Sequence, residues 1–232
     1  MPRTARLQPG GVVFHVLNRG NERRELFEDA ADYDAFVRVL AGALRAVPVD
    51  LLAYCVMPNH WHLVVRPGGD GDLGRFMQRL TVTHVRRWRE HRHSVGLGHL
   101  YQGPYKSFPV QDDGHFLTVC RYVERNAARA GLVEPGQAQA WKWCSLWQRM
   151  QKMLPGDPMQ WPVLAAWPVD APRNWLSRVN QAASAAELDA LRTSLRRGRP
   201  LGSEAWVGAT AKRLGLTSTL RPRGRPKKAE SE

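Results

Sequence analysis

An α+β fold, a ferredoxin-like antiparallel sheet with helices packed on it, is what this sequence predicts. Three observations carry that expectation. Apolar runs alternate between strand-like and helix-like periodicity in the order β-α-β-β-α-β-α. Two of the strand-like runs are separated by only two turn-forming residues, which makes them antiparallel neighbours. The remaining strands are linked through helices, the pattern of a split β-α-β unit.

The first strand is Val12-Val13-Phe14-His15-Val16-Leu17, rich in β-branched residues and ending in the turn Asn18-Arg19-Gly20-Asn21. Asp29 is placed to cap a helix whose apolar positions are Tyr33, Phe36, Val37, Leu40 and Leu44, and which ends before Pro48. Leu51 to Met57 and His60 to Val65 form the hairpin across Pro58-Asn59. A second helix starts at Asp72. Leu73, Phe76, Met77, Leu80 and Trp88 make its apolar face, while Arg75, Arg79, Arg86, Arg87 and Arg89 occupy its other faces. A loop leads to a strand over Tyr105 to Val110. Asp112-Asp113 then opens a third helix with Phe116, Val119, Cys120, Val123, Ala127 and Ala130 as its buried stripe and Gly131 as its stop.

After Pro135 the composition changes. Trp141, Trp143, Trp147, Trp161, Trp167 and Trp175 crowd a stretch punctuated by prolines. The expected organisation is an α+β body over residues 1–134, a Trp/Pro-rich helical extension over 135–219 and a basic tail over 220–232.

Charge narrows the function classes. The 232 residues carry 34 Lys+Arg against 21 Asp+Glu, a net +13. Between Arg192 and Lys228 stand eleven Lys or Arg and one acid, Glu204. So concentrated an arm on a nearly balanced body suits a polyanion such as nucleic acid, although solubilising basic tails are common. Three scattered cysteines do not make a disulfide framework. The opening MPRTARLQPGG lacks the apolar core of a signal peptide, and Leu51–Met57 is too short to cross a bilayer. The expectation is a cytoplasmic, nucleoid-associated protein without a membrane partner.

Met57-Pro58-Asn59-His60-Trp61-His62-Leu63-Val64-Val65 is the most informative segment. Strand alternation puts His60 and His62 on one face, about 7 Å apart, and Trp61 on the other. Two imidazoles so placed suit a shared divalent metal, but a lone His-x-His pair is more often incidental. Tyr122 and Asn126, four apart, share one side of the third helix. A tyrosine serves as a nucleophile and an amide oxygen as a neutral ligand. Taken alone, that pair is more simply a half-buried tyrosine near a helix end. A third arrangement, Cys55, His60 and His62 as a structural zinc site, lacks a fourth ligand.

Together, MPNHWHLVV and, some sixty residues later, CRYVERNAARAGLV resemble the REP-associated tyrosine transposases, a single-tyrosine branch of the HUH nucleases. HVLNRGNERRELFED, GHLYQGPYKSFPVQDD and PLGSEAWVGATAKRLGL extend the resemblance over nearly the whole chain. The resemblance implies that His60, His62 and Asn126 hold a divalent cation, Mg²⁺ or Mn²⁺, and that Tyr122 is the nucleophile. It implies cleavage and rejoining of single-stranded DNA beside hairpin-forming repeats, through a 5′-phosphotyrosine. Pro104, Arg125 and Ala127-Ala128 depart from the family's commoner residues, which bears on DNA contacts around the site and not on the four implied residues. A binding protein that holds hairpin DNA without cutting it is the competing reading.

Arg79 and Arg86, near Trp88, are candidates to line a strand-binding groove, against the plainer reading of a solvated helix face. Pro222-Arg223-Gly224-Arg225-Pro226 resembles an AT-hook core, in which Arg223 and Arg225 would lie in a minor groove. No obligate protein partner is evident, and a monomer is expected because the extension is long enough to cover a sheet edge.

Overall fold

The structure is a computed structural model that describes residues 7–94, 96, 98–151 and 161–221. Its centre is a four-stranded antiparallel sheet in the order β2-β3-β1-β4, the ferredoxin-like order. The strands are β1 (Val13–Arg19), β2 (Val49–Met57), β3 (His60–Pro67) and β4 (Lys106–Val110). Helices α1 (Ala30–Ala46) and α2 (Asp72–His91) cover one face. On the other lie α3 (Gly114–Glu124) and α4 (Asn126–Arg129).

Local sequence explains most boundaries. The Asp29 carboxylate accepts the Asp32 backbone N–H at 3.0 Å and starts α1, which stops at Val47, before Pro48. At the end of α4, Gly131 takes the left-handed conformation (φ 72°). Its N–H reaches the Ala128 carbonyl, and the Leu132 N–H reaches back to Ala127, which is the Schellman closure. The single third helix expected from the sequence is interrupted at Arg125, where ψ of −3° takes the backbone out of regular α geometry. The break follows Glu124, whose side chain is held from outside the helix.

Sheet parity separates two cores. Trp61, Leu63 and Val65 of β3 pack with Phe14 and Val16 of β1 under the α1/α2 layer. Val64 of β3 and Val13 of β1 turn to the α3 side with Phe108, Phe116 and Val123. In β2 a bulge between Leu51 and Ala53 switches the alternation, so that Leu51 and Tyr54 face one core while Leu52 and Cys55 face the other.

The extension contributes α5 (Ser145–Met150), α6 (Trp175–Asn180), α7 (Ala185–Arg197) and α8 (Glu204–Arg213). Trp175, Val179, Leu191 and Leu201 belong to the α3-side core. Indole N–H groups tie the rest down. Trp141 donates to the Val56 carbonyl at 2.8 Å and Trp167 to the Leu52 carbonyl at 2.8 Å, both on edge strand β2. The Val56 N–H is taken by the Trp143 carbonyl and the Leu51 carbonyl by the Ala165 N–H. At the opposite edge Leu201 exchanges backbone bonds with Pro109 and Gln111. Extension residues therefore occupy hydrogen-bonding groups on both sheet edges, the groups that otherwise invite pairing with another chain.

Glu124 is the junction. It is fully buried, its carboxylate accepting from Ser145 Oγ at 2.5 Å and Trp175 Nε1 at 2.6 Å, with Arg149 Nε at 3.7 Å. Glu124→Ala strands both donors and the Arg149 charge, so it should cost about 3 kcal/mol; urea unfolding measures this.

Under α1 and α2, Tyr101 accepts from Trp61 Nε1 at 3.0 Å and donates to His84 Nδ1 at 2.6 Å. Burial holds His84 down to about 3. The unfolded chain therefore takes up this proton first, near 6.5. The stability contributed by neutral His84 is complete above that value and is lost as pH falls toward 3. His84→Gln should lower the slope of unfolding free energy against pH by about 1.4 kcal/mol per unit between about pH 6 and 4. Denaturant melts of both proteins across that range give the difference directly.

Candidate active site

Strand β3 supplies two histidines to the face opposite its tryptophan, as the alternation requires. His60 pairs in register with Arg19, and His62 with Leu17. The His60 and His62 rings lie 5.0 Å apart, centroid to centroid. Each is held through Nδ1. Asn59 Oδ1 stands 2.6 Å from His60 Nδ1, and the Asn59 amide nitrogen donates to the Arg23 carbonyl. The Asn59 oxygen is thus an acceptor, His60 carries its proton on Nδ1, and its Nε2 lone pair is left for another group. His62 Nδ1 shares a hydrogen bond with His15 Nε2 at 2.9 Å.

His15 is the first residue of the site that the sequence reading leaves unassigned. It lies on β1 on the same face, nearly fully buried, between His62 and Phe108. Burial pushes His15 down to about 3 and His60 to about 4, with Arg19 and then Arg129 adding to the effect at His60. His62 is held well below the usual imidazole range by burial first, then by His60, His15 and the same arginines. All three rings are therefore neutral at physiological pH, the state in which imidazole offers a lone pair.

The α3–α4 segment carries the other two expected residues and brings Tyr122 over this face. The Tyr122 ring stands edge-on to His62 at 5.7 Å and to His15 at 6.4 Å. Asn126, one turn on, is fully buried. Arg129 links the two: its guanidinium carbon lies 5.3 Å from the Tyr122 ring centroid, and its Nη2 donates to Asn126 Oδ1 at 2.5 Å. Arg129 was also not singled out beforehand, although it lies three residues from Asn126 and seven from Tyr122 on the same helical side. Asn126 Nδ2 and His15 Nδ1 are buried without a partner among the described residues.

By donor chemistry His60, His62 and Asn126 suit a divalent cation: two neutral imidazoles and an amide oxygen, whose second lone pair remains beside the Arg129 bond. No three His, Cys, Asp or Glu among the described residues form a metal-holding group. The Cys55–His60–His62 zinc arrangement accordingly does not assemble. Cys55 is the register partner of His62 and faces the same α3-side core, but its Sγ lies 3.6 Å from Met57 Sδ, packed among apolar side chains.

The second-helix arginines stand elsewhere. Helix α2 is on the sheet face away from the histidines, so the structure does not bring Arg79 or Arg86 to Tyr122. Arg79 borders a cleft against α1 with Arg38 and Arg45. Arg86 pairs with Glu90 at 2.9 Å and borders a groove beside the loop before β4. Trp88 turns inward, donating to the Leu26 carbonyl at 2.9 Å, with Arg92 stacked at 4.4 Å. Arg223 and Arg225 lie outside the described residues. No helix among the described residues is long and apolar enough to cross a membrane.

Comparisons with known proteins bear on the fold and the family. Among solved structures, the chain shares its fold with a REP-associated tyrosine transposase described as bound to a REP hairpin. The TM-score is 0.52 at 21% identity, over 74% of this chain and 95% of that one. A putative transposase from Deinococcus radiodurans R1 aligns at 17% identity and TM-score 0.37, over 57% of this chain and 91% of that one. No curated protein matches the sequence. The family described as "Transposase IS200 like" matches residues 10–126, a span from before β1 to Asn126 that includes His15, His60, His62 and Tyr122. This chain therefore belongs to the IS200-like transposase family.

Proposed function

We propose that this transposase cuts and rejoins single-stranded DNA beside hairpin-forming, REP-like repeats, with Tyr122 as the nucleophile. The observation that carries the reading is the edge-on approach of Tyr122 to His62 at 5.7 Å, on a face whose histidines are all neutral. The Tyr122 oxygen forms a bond to the scissile phosphorus as the bond to the 3′ oxygen breaks. The phenol gives up its proton and the leaving oxygen gains one, so the products are a 5′-phosphotyrosine and a free 3′-hydroxyl. Attack by a 3′-hydroxyl on the tyrosyl phosphodiester reverses the chemistry and joins strands without an external energy source.

His60, His62 and the Asn126 amide would hold Mg²⁺ or Mn²⁺. The bound cation supplies charge neutralisation and polarisation at a phosphate oxygen. The chain's own groups do the positioning. Asn59 and His15 fix the orientation of the two imidazoles, as partners behind metal-binding histidines do. Arg129 places a permanent positive charge between Tyr122 and Asn126, next to where an anionic phosphate would lie. Hairpin recognition is supported by the shared fold with a transposase described as bound to a REP hairpin. Coverage of both sheet edges by extension residues supports a monomer.

Tyr122→Phe should abolish the covalent protein–DNA adduct on a labelled single-stranded oligonucleotide while changing its binding affinity less than about threefold. Adduct of undiminished yield in that variant would overturn the assignment. Loss of adduct in the wild type, with hairpin binding intact, would instead leave a binding protein.

His62→Ala should remove adduct formation at every Mn²⁺ concentration, and Asn126→Ala should lower it with partial recovery at high Mn²⁺, because water replaces an amide ligand more readily than an imidazole anchored by His15. A calorimetric Mn²⁺ titration of the protein–DNA complex should lose its binding heat in His62→Ala. Retention of that heat would place the cation elsewhere.

A further inference from the structure

Sheet register places a second set of cations on the histidine face. Residues opposite one another on adjacent strands project the same way. Lys106 on β4 pairs with Leu17 on β1, which pairs with His62 on β3. Lys106 is thus two strands from His62, roughly 10 Å at about 4.8 Å per strand. Arg19 lies in the next row, directly opposite His60. These two side chains open onto a groove of about 710 Å³ along the β4 edge, whose far wall is the end of α7, with Leu195, Arg196 and Arg197.

The groove is built, not incidental. Gly198, in the left-handed conformation at φ 71°, closes α7 by donating to the Ser194 carbonyl at 2.8 Å. Leu201 then pairs with Pro109 and Gln111, clamping the end of α7 against β4. Every charged side chain lining the groove is a cation: Arg19, Lys106, Arg196 and Arg197. Arg197 donates to the Arg221 carbonyl. Among the described residues, Arg19, Lys106 and Arg196 have no ion-pair partner, and Arg19 Nε is buried without any hydrogen bond. Between the cations the walls mix aliphatic side chains, Leu17, Leu195 and Leu216, with the amides of Gln8, Asn18 and Gln102.

Cations without ion-pair partners beside apolar and amide side chains suit a ligand that is anionic along one edge and offers flat apolar faces with hydrogen-bonding groups along the other. A single-stranded nucleic acid is such a ligand, because its bases are unpaired and its phosphates accessible; a duplex hides the bases. We propose that the groove between β4 and the end of α7 holds the unpaired DNA strand that flanks the hairpin, with Lys106 and Arg196 as its phosphate contacts. This rests on the strand-transfer reading above and adds where the flank lies. Arg196 belongs to the extension, beyond the span matched by the family. The extension thus takes part in substrate binding as well as in covering the sheet.

The test compares two fluorescent probes on the full chain: a hairpin with an unpaired flank and the same hairpin trimmed flush. The double variant Lys106→Gln/Arg196→Gln should bind the flanked probe roughly tenfold more weakly at about 0.15 M salt, and the flush probe as the wild type does. Its log–log salt slope on the flanked probe should fall by about 1.4, since two phosphate contacts on a single strand are worth about 0.7 each. Lys106→Arg/Arg196→Lys, which keeps both charges, should restore most of the affinity and controls for folding. Equal loss on both probes, or no loss on the flanked one, overturns the groove. Adduct yield at saturating flanked DNA reports separately on Tyr122. An adduct-free wild type that still distinguishes the probes would retire the strand-transfer reading alone, whereas an adduct-forming variant with unchanged flank affinity would retire the groove alone.

Discussion

The register of β3 between β1 and β2 is the constraint on which everything else depends. In this strand Trp61, Leu63 and Val65 are core for one helix layer, while His60 and His62 serve the opposite face. A slip of one residue would exchange the two sets, burying imidazoles under α1 and α2 and turning Trp61 toward Tyr122. The Pro58-Asn59 turn fixes the register locally, and the Pro58 carbonyl accepts from the N–H groups of both Leu26 and Phe27. The same turn supplies Asn59, which orients His60. The apolar half of β3 therefore stabilises the strand, and the polar half is carried in place by it.

Keeping three histidines neutral next to two arginines is an electrostatic arrangement with a direction. Burial and the Arg19 and Arg129 charges both oppose protonation of His60 and His62. Each ring then offers a lone pair instead of a third positive charge, and the arginines remain as the fixed cations beside the histidines. The unpartnered Asn126 Nδ2 and His15 Nδ1 mark where the face is not self-satisfied. Most buried polar groups have partners; among the described residues five such atoms lack one, and Arg19 Nε, opposite His60, is the third of them on this part of the molecule, with Ser94 Oγ and Arg125 Nε the other two.

Legibility of the sequence follows the range of the interactions concerned. Strand alternation and helical spacing are local, so His60, His62, Tyr122 and Asn126 were readable on their faces, as were the sheet's element order and the Asp29 and Gly131 helix ends. His15 was readable as a strand residue only: its contact with His62 depends on how β1 and β3 align, which spacing along one strand does not encode. Arg79 and Arg86 illustrate the reverse failure. Their charge suggested a DNA groove, but the face of the sheet against which α2 packs decides where they point, and α2 lies away from the histidines. The β2 bulge and the break at Arg125 were likewise invisible, since neither Gly nor Pro marks them. Each lies beside a contact from the extension, the bulge at the Trp167 hydrogen bond to Leu52 and the break next to the anchored Glu124.

That anchoring changes how the extension should be regarded. The matched family span stops at Asn126, but the helical side that presents Tyr122 and Asn126 is set by residues on either side of that limit. Glu124 is gripped by Ser145 and Trp175 from the extension, and Arg129 joins Tyr122 to Asn126 from within α4. A buried carboxylate between two donors tolerates little rotation of its helix, because turning α3 would strand charge and hydrogen bonds together. The extension therefore fixes the azimuth of the tyrosine helix over the histidines in the same way that β1 fixes His62 beneath it. On this account Tyr122 is held in place by a buried carboxyl group on the far side of its helix, and the Trp-rich segment that looks like an appendage in the sequence is part of what aligns Tyr122 with its face of the sheet.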